Sequence, residues 1–407
     1  MSEPGNAVEP VVFNPFEDGF AADPYPHYAA VRESDPVQAH PLGFWLLTRY
    51  DDVATLLRSG LSVEDRNVTD SPLLDIYAEA GVDSRRTGGL SMLDRDPPDH
   101  TRLRTLVSGV FTPKAIARLE PEIEALVAAS LDRIAAAGSA DLVEELAFPL
   151  PFTVIARLLG MPPTDHVRLR ELTGLLVRSL EPVNDPETIR AIGEADTEIT
   201  ALTTEAIAWK RRNPSDDLLT ALIHAEDDGD VLDDDELVAQ VVLLYVAGHE
   251  TTVNLIGNGV VALLRAPDQY ARLRAEPELA DGAIEELLRF DSPVQMSRRV
   301  TTAPYEIAGH EIPAGTFVIA NLASANRDPA YWGEDADRIR VDRPNARRHV
   351  SFGAGPHHCL GASLARLEGR VAIGRLVQRF GDLALDGDVE WNGRINLRGA
   401  ARIPIRV

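Results

Sequence analysis

Residues 350–368 read Val-Ser-Phe-Gly-Ala-Gly-Pro-His-His-Cys-Leu-Gly-Ala-Ser-Leu-Ala-Arg-Leu-Glu. Gly353 and Gly355 with Pro356 make a tight, rigid loop. Beyond it, Leu360, Leu364, Leu367, Val371 and Leu376 fall on one helical face. Cys359 therefore sits where a loop passes into a helix. Backbone N–H groups and the helix dipole at such a junction favour thiolate over thiol.

Cys359 is the one cysteine among 407 residues, which excludes an intramolecular disulfide and a zinc site built from several thiolates. It is a bystander, a nucleophile or a lone metal ligand, and a thiolate held by a Gly-rich loop suits an axial haem ligand. The 44% hydrophobic and 26% charged composition is that of a globular protein with a large core. Asp and Glu number 64 against 40 Lys and Arg, a net charge of −24, so nucleic acid and anionic lipid are poor partners. The longest near-apolar run, Val241 to Gly248, is far short of the ~20 residues of a membrane span, and no signal segment is recognisable. These features predict a soluble, cytoplasmic protein.

Helical periodicity dominates. Helices are expected at about 99–110, 113–136, 152–159, 164–180 and 186–210, with short strands at 44–48, 306–312, 316–321 and 403–407. The longest helix is expected to start at Asp233, with Glu236 completing a capping box, and to run to about Leu264 before Pro267. At 1.5 Å per residue it is roughly 45–50 Å long and should cross the core. The expectation is a mainly α chain with small β sheets, residues 1–407 forming a single domain around this helix.

Phe352, Gly353, Gly355, His357, Cys359 and Gly361 together resemble the haem-binding loop of the cytochrome P450 superfamily. Further motifs extend the likeness: 247–252, Ala-Gly-His-Glu-Thr-Thr, resembles the family's oxygen-activating motif, and Glu286 with Arg289 its Glu-x-x-Arg pair. Residues 325–329, 293–295 and 96–104 are similar to the soluble bacterial branch, so the resemblance covers nearly the whole chain. Two departures precede the loop, Ala336 and Ile339 standing where the family usually has proline and phenylalanine.

The resemblance implies haem b, with Cys359 as axial ligand and His100, Arg104, Arg299 and His357 as donors to its propionates. By spacing alone, His100 and Arg104 are an ordinary i,i+4 pair on one helix face. Ala247 and Gly248 would lie by the cofactor, and Glu250 and Thr251 would deliver protons. Taken alone, Gly248 and Thr251 are also what packing concessions in a long helix look like, although a threonine hydroxyl can open the turn by bonding the carbonyl of Ala247. His249 is expected to be a satisfied core or channel histidine. Glu286 and Arg289 alone would be a surface pair of a few tenths of a kcal/mol; the resemblance implies a buried pair bonded to an arginine before the loop, expected at Arg338.

The implied activity is insertion of one oxygen atom of dioxygen into an apolar small molecule, by hydroxylation or epoxidation, with electrons from a ferredoxin and its reductase and the protein acting as a monomer. Rivals are a peroxide-driven peroxygenase on the same fold and a haem sensor or carrier, both disfavoured by the Glu250–Thr251 pair. The pocket is expected around Leu73, Leu74, Ile76, Tyr77, Leu175, Leu176, Val294, Met296, Ala400 and Ala401, and a basic patch for the redox partner at Arg102, Arg347 and Arg348.

Overall fold

The computed structural model describes residues 11–69, 90–161, 166–182 and 185–407. Helices carry most of these: α1 (Tyr25–Ser34), α2 (Tyr50–Arg58), α3 (Asp99–Val110), α4 (Glu120–Ala137), α5 (Pro149–Leu159), α6 (His166–Val177), α7 (Pro186–Arg212), α8 (Asp234–Leu264), α9 (Pro267–Ala275), α10 (Ala280–Phe290) and α11 (Ala362–Arg379). The strands that form sheets around them are β1 (Val37–Ala39), β2 (Phe44–Leu47), β3 (Ser139–Asp141), β4 (Met296–Val300), β5 (Phe317–Asn321), β6 (Ala384–Leu385), β7 (Glu390–Trp391), β8 (Ala400–Arg402) and β9 (Pro404–Arg406).

The 31-residue α8 organises the fold. Asp233 caps it by accepting from the Glu236 N–H at 2.7 Å while Glu236 accepts from the Asp233 N–H at 3.1 Å, the reciprocal box its sequence predicts. From Thr252 to Leu263 every residue is buried, so this half is surrounded on all sides. It packs on α5, α7, α10 and α11. Leu255, Ile256 and Val260 of α8 join Ile155, Ile284, Leu287 and Ile373 in the largest core cluster. Full burial of each such side chain is worth about 1.5–3 kcal/mol.

The main sheet has the order β1-β2-β5-β4, with β2 and β5 parallel and the outer pairs antiparallel. Its antiparallel β4–β5 edge places Arg299 opposite Val318. A second sheet runs β6-β9-β3, and β7 pairs with β8.

Two expected elements divide. The segment 113–136 forms a short helix, Pro113–Ala117, and then α4, because Pro121 lacks an N–H and its ring crowds the carbonyl four residues back. Residues 306–312 form a hairpin, Tyr305–Ile307 paired with His310–Ile312, whose turn residues Ala308 and Gly309 have φ of 50° and 83°. That turn matches the twist of the flanking strands. The helix expected over 164–180 is α6 followed by a 3₁₀ turn at Arg178–Leu180. Among the described residues no helix is long and apolar enough to cross a membrane.

Candidate functional site: a cysteine loop and the middle of the long helix

The loop before α11 is tied down from three directions. Within it, the Cys359 N–H donates to the Phe352 carbonyl at 2.9 Å. Asn326 accepts from the Val350 N–H at 2.9 Å and donates to the Ser351 hydroxyl at 2.8 Å. Arg104, on α3, donates to the His358 carbonyl at 2.6 Å. Gly355 has φ of 71°, and a Cβ there would stand 2.6 Å from the Leu57 carbonyl oxygen at the end of α2, so only glycine fits. Arg366 lies 4.6 Å over the Phe352 ring and bonds Glu285 at 2.8 Å. Burial pushes the Glu285 carboxyl up, but bonds from His349 and Arg366 outweigh this and hold it at about 2.

Cys359 is accessible from outside, yet its thiol is ringed by protein atoms, as in a recess. Burial pushes the thiol up, against the opposing pull of the Gly361 and Ala362 N–H groups, Arg104 and Arg366. The helix terminus alone therefore does not produce the thiolate. A cation at the sulfur would, because a coordinating thiol is deprotonated outright.

Beside the thiol, cationic and donor side chains converge; Asp96 lies close enough to act on His100 and Arg299, but its carboxylate is engaged by the Ser62 hydroxyl and the Val63 N–H. The His100 and His357 rings are 4.1 Å apart. His100 is 3% exposed and its Nε2 has no partner among the described residues. Burial, then His100, Arg299 and Arg104, push His357 down to about 3. Arg299 is 5% exposed, and its guanidinium donates to the Ser297 hydroxyl at 3.0 Å and the Arg298 carbonyl at 2.7 Å. Neither Arg299 nor Arg104 makes an ion pair among the described residues. A buried cluster of this kind calls for an anion.

In α8, the Thr251 hydroxyl donates to the Ala247 carbonyl at 3.2 Å, and Ala247 itself is exposed although it lies mid-helix. Gly248 also has a packing role. A Cβ there would meet Ile155 at 3.0 Å, so this glycine serves the close packing of α8 on α5. His249 is 1% exposed, bonds the Tyr245 carbonyl through Nδ1 at 2.8 Å and stands edge-on to Phe148 and Phe152. The Glu250 carboxylate pairs with Arg394 from the β7–β8 loop, a partner the sequence did not single out.

Glu286 and Arg289 are fully buried and doubly bonded, at 2.7 and 2.8 Å. Their third partner is Arg343, not Arg338. The Arg343 Nε reaches both Glu286 oxygens at 3.0 and 3.1 Å. Arg338 is exposed and contributes its carbonyl, which accepts from Arg289 at 3.0 Å. Arg343 is 5% exposed, and its guanidinium also bonds Asp335, so it can enter the core with its donors satisfied. Arg102 is likewise not a free surface cation, because it pairs with Glu236 in the capping box of α8.

Of the expected pocket residues, Leu73, Leu74, Ile76 and Tyr77 lie outside the described residues. Leu176 and Ala400 are buried in the main core and Ala401 is exposed, while Val294 and Met296 pack against two other clusters.

Comparison with known proteins decides the family. The family model for cytochrome P450 matches residues 184–392. Cytochrome P450 107B1 of Saccharopolyspora erythraea is 44% identical over 404 residues, 96% of each chain. The chain belongs to the cytochrome P450 family. Another relative of this P450, the vitamin D(3) 25-hydroxylase of Pseudonocardia autotrophica, is 42% identical over 96% of this chain and 95% of its own. The crystal structure of Mycobacterium smegmatis CYP164A2 superposes with a TM-score of 0.87 at 37% identity, covering 96% of this P450 and 98% of that chain. The enzyme is thus a P450 monooxygenase whose cofactor is haem b. Its residues fit that group: a recessed single thiol, a buried His100 Nε2 and two arginines that are respectively without a partner and without an ion pair among the described residues answer a cation-centred macrocycle bearing two carboxylates.

Proposed function

We propose that this P450 hydroxylates an apolar small molecule with dioxygen, taking electrons from a ferredoxin and its reductase and working as a cytoplasmic monomer. The observation that carries the reading is the convergence of the Cys359 thiol with four donor side chains, none of them ion-paired among the described residues. Cys359 would hold the iron through its thiolate, and His100, Arg104, Arg299 and His357 would hold the propionates. Phe352, Gly353, Gly355 and Gly361 would shape the thiolate side of the haem site, and Ala247 and Gly248 would line it from α8. When bound, the haem supplies the oxygen-activating metal centre, made electron-rich by its thiolate.

The chain's own part is to orient, to exclude water and to place protons. The Thr251 hydroxyl, poised on the Ala247 carbonyl, can instead hold a proton toward the reacting face. Glu250, one residue away, would resupply it. Glu286, Arg289 and Arg343 hold the segment before the loop in register, as a structural device. Exposed Arg347, which also pairs with Glu285, and Arg348 would give a ferredoxin a basic place to dock. The hydroxylase named among the relatives supports hydroxylation over epoxidation.

The test is oxygen uptake by holoenzyme given NADPH, ferredoxin and reductase while an apolar compound library is screened for haem spin-state shifts. Uptake with one oxygen atom recovered in product supports the reading. Turnover with hydrogen peroxide and none with ferredoxin would make the enzyme a peroxygenase; spectral shifts without turnover in either would make it a carrier.

A further inference from the structure

Glu250 is gripped from outside its helix, and the grip is itself built. Arg394, which pairs with it, lies in the loop joining β7 to β8; the two side chains are 20% and 14% exposed. A second carboxylate holds that loop. Glu181, immediately after the Arg178–Leu180 turn that follows α6, accepts the N–H groups of Ile395 at 2.8 Å, Asn396 at 2.9 Å and Leu397 at 2.8 Å. Asn392 closes the loop on itself, accepting from the Arg394 N–H at 3.0 Å and donating to the Leu397 carbonyl at 2.9 Å. On its other side, Asn396 accepts from the Gln295 N–H at 2.8 Å and, through Oδ1, from the Met296 N–H at 3.0 Å. Residues 392–397 thus join the end of α6, the start of β4 and the middle of α8.

Three N–H groups on one carboxylate are charge-assisted bonds, each stronger than a neutral one. So many of them on one short loop fix the direction in which Arg394 points. Glu250 has several free torsions and stands about 100° around the helix from Thr251. Which rotamer it adopts depends on what holds its carboxylate.

We infer that Arg394 and Glu181 are positioning residues for the proton supply: Glu181 fixes the loop, and Arg394 holds the Glu250 carboxylate at the side of α8 near Thr251. Neither touches the reacting atoms. The inference rests on the reading of Glu250 as a proton source, and the test separates the two.

Holoenzyme variants Glu250→Gln, Arg394→Gln, Arg394→Lys and Glu181→Gln, with the Glu250→Gln/Arg394→Gln double variant, are compared in NADPH-driven oxygen consumption with ferredoxin, peroxide and water being assayed as products. Arg394→Gln should change the peroxide share in the same direction as Glu250→Gln and slow turnover roughly 10-fold, less than the ~100-fold typical of deleting a general acid. The double variant should be no worse than the more affected single one, since residues acting as one unit are not additive. Arg394→Lys should recover most of the loss. Independently of activity, the amides of residues 395–397 in Glu181→Gln should exchange hydrogen about 10-fold faster or more, the equivalent of one lost bond to a charged group, while those of Glu250→Gln do not. Additive effects, or a silent Arg394→Gln beside an impaired Glu250→Gln, would overturn the inference and leave the proton role of Glu250 standing. A silent Glu250→Gln would overturn both. If Arg394→Gln fails to retain haem, Arg394→Lys and Glu181→Gln decide: normal turnover and an unchanged peroxide share in Glu181→Gln despite faster amide exchange would refute the positioning role.

Discussion

The Glu286 carboxylate accepts from Arg343, 57 positions later in the chain, at 3.0 and 3.1 Å. With Arg289 it forms a three-member charged unit having no member more than 5% exposed. Arg343→Ala should therefore cost about 1.5–3 kcal/mol, because the buried Glu286 carboxylate keeps Arg289 but loses its charge-assisted bonds from Arg343. Arg338→Ala, removing an exposed side chain, should stay within about 0.5 kcal/mol. Denaturant unfolding of the two variants, with haem content measured alongside, checks this; equal losses would contradict the assignment.

His249 is buried against Phe148 and Phe152, and burial lowers its pKa from 6.5. A histidine with a lower pKa folded than unfolded binds fewer protons when folded. Its contribution to stability is thus fully present above about pH 6.5 and is lost as the pH falls below that, by up to about 1.4 kcal/mol per pH unit. His249→Phe should flatten the decline in unfolding free energy between about pH 6.5 and 5 relative to the parent. An unchanged slope would mean that His249 titrates normally in the fold.

Much of this was legible locally and the rest was not, for a physical reason. The capping box at Asp233, the Gly-rich turn before Cys359 and the Thr251-to-Ala247 bond depend on residues within a few positions of each other, where spacing and backbone geometry coincide. Pro121 carried enough information to break the helix expected over 113–136. Arg343 and Arg394 are different. Each is one arginine among several in its segment, and which one turns inward depends on carboxylates on distant helices. Arg102 resembles a surface cation until α8 brings Glu236 to it.

Thr251→Ala should leave haem content and substrate-induced spectral shifts nearly unchanged while diverting electrons to peroxide or water. Among the described residues the hydroxyl bonds only the Ala247 carbonyl, so its loss removes a proton donor and little packing. Product formed per NADPH oxidised is the measurement, and unchanged coupling would return Thr251 to a packing role.

The central claim is that Cys359 binds the haem iron. Its most direct test is the absorption spectrum of the reduced, carbonyl-bound protein beside that of Cys359→His. The parent should show the strongly red-shifted Soret band of thiolate ligation, and the variant should lose it, since the chain holds one cysteine in all. A variant that keeps the red-shifted band would contradict the account.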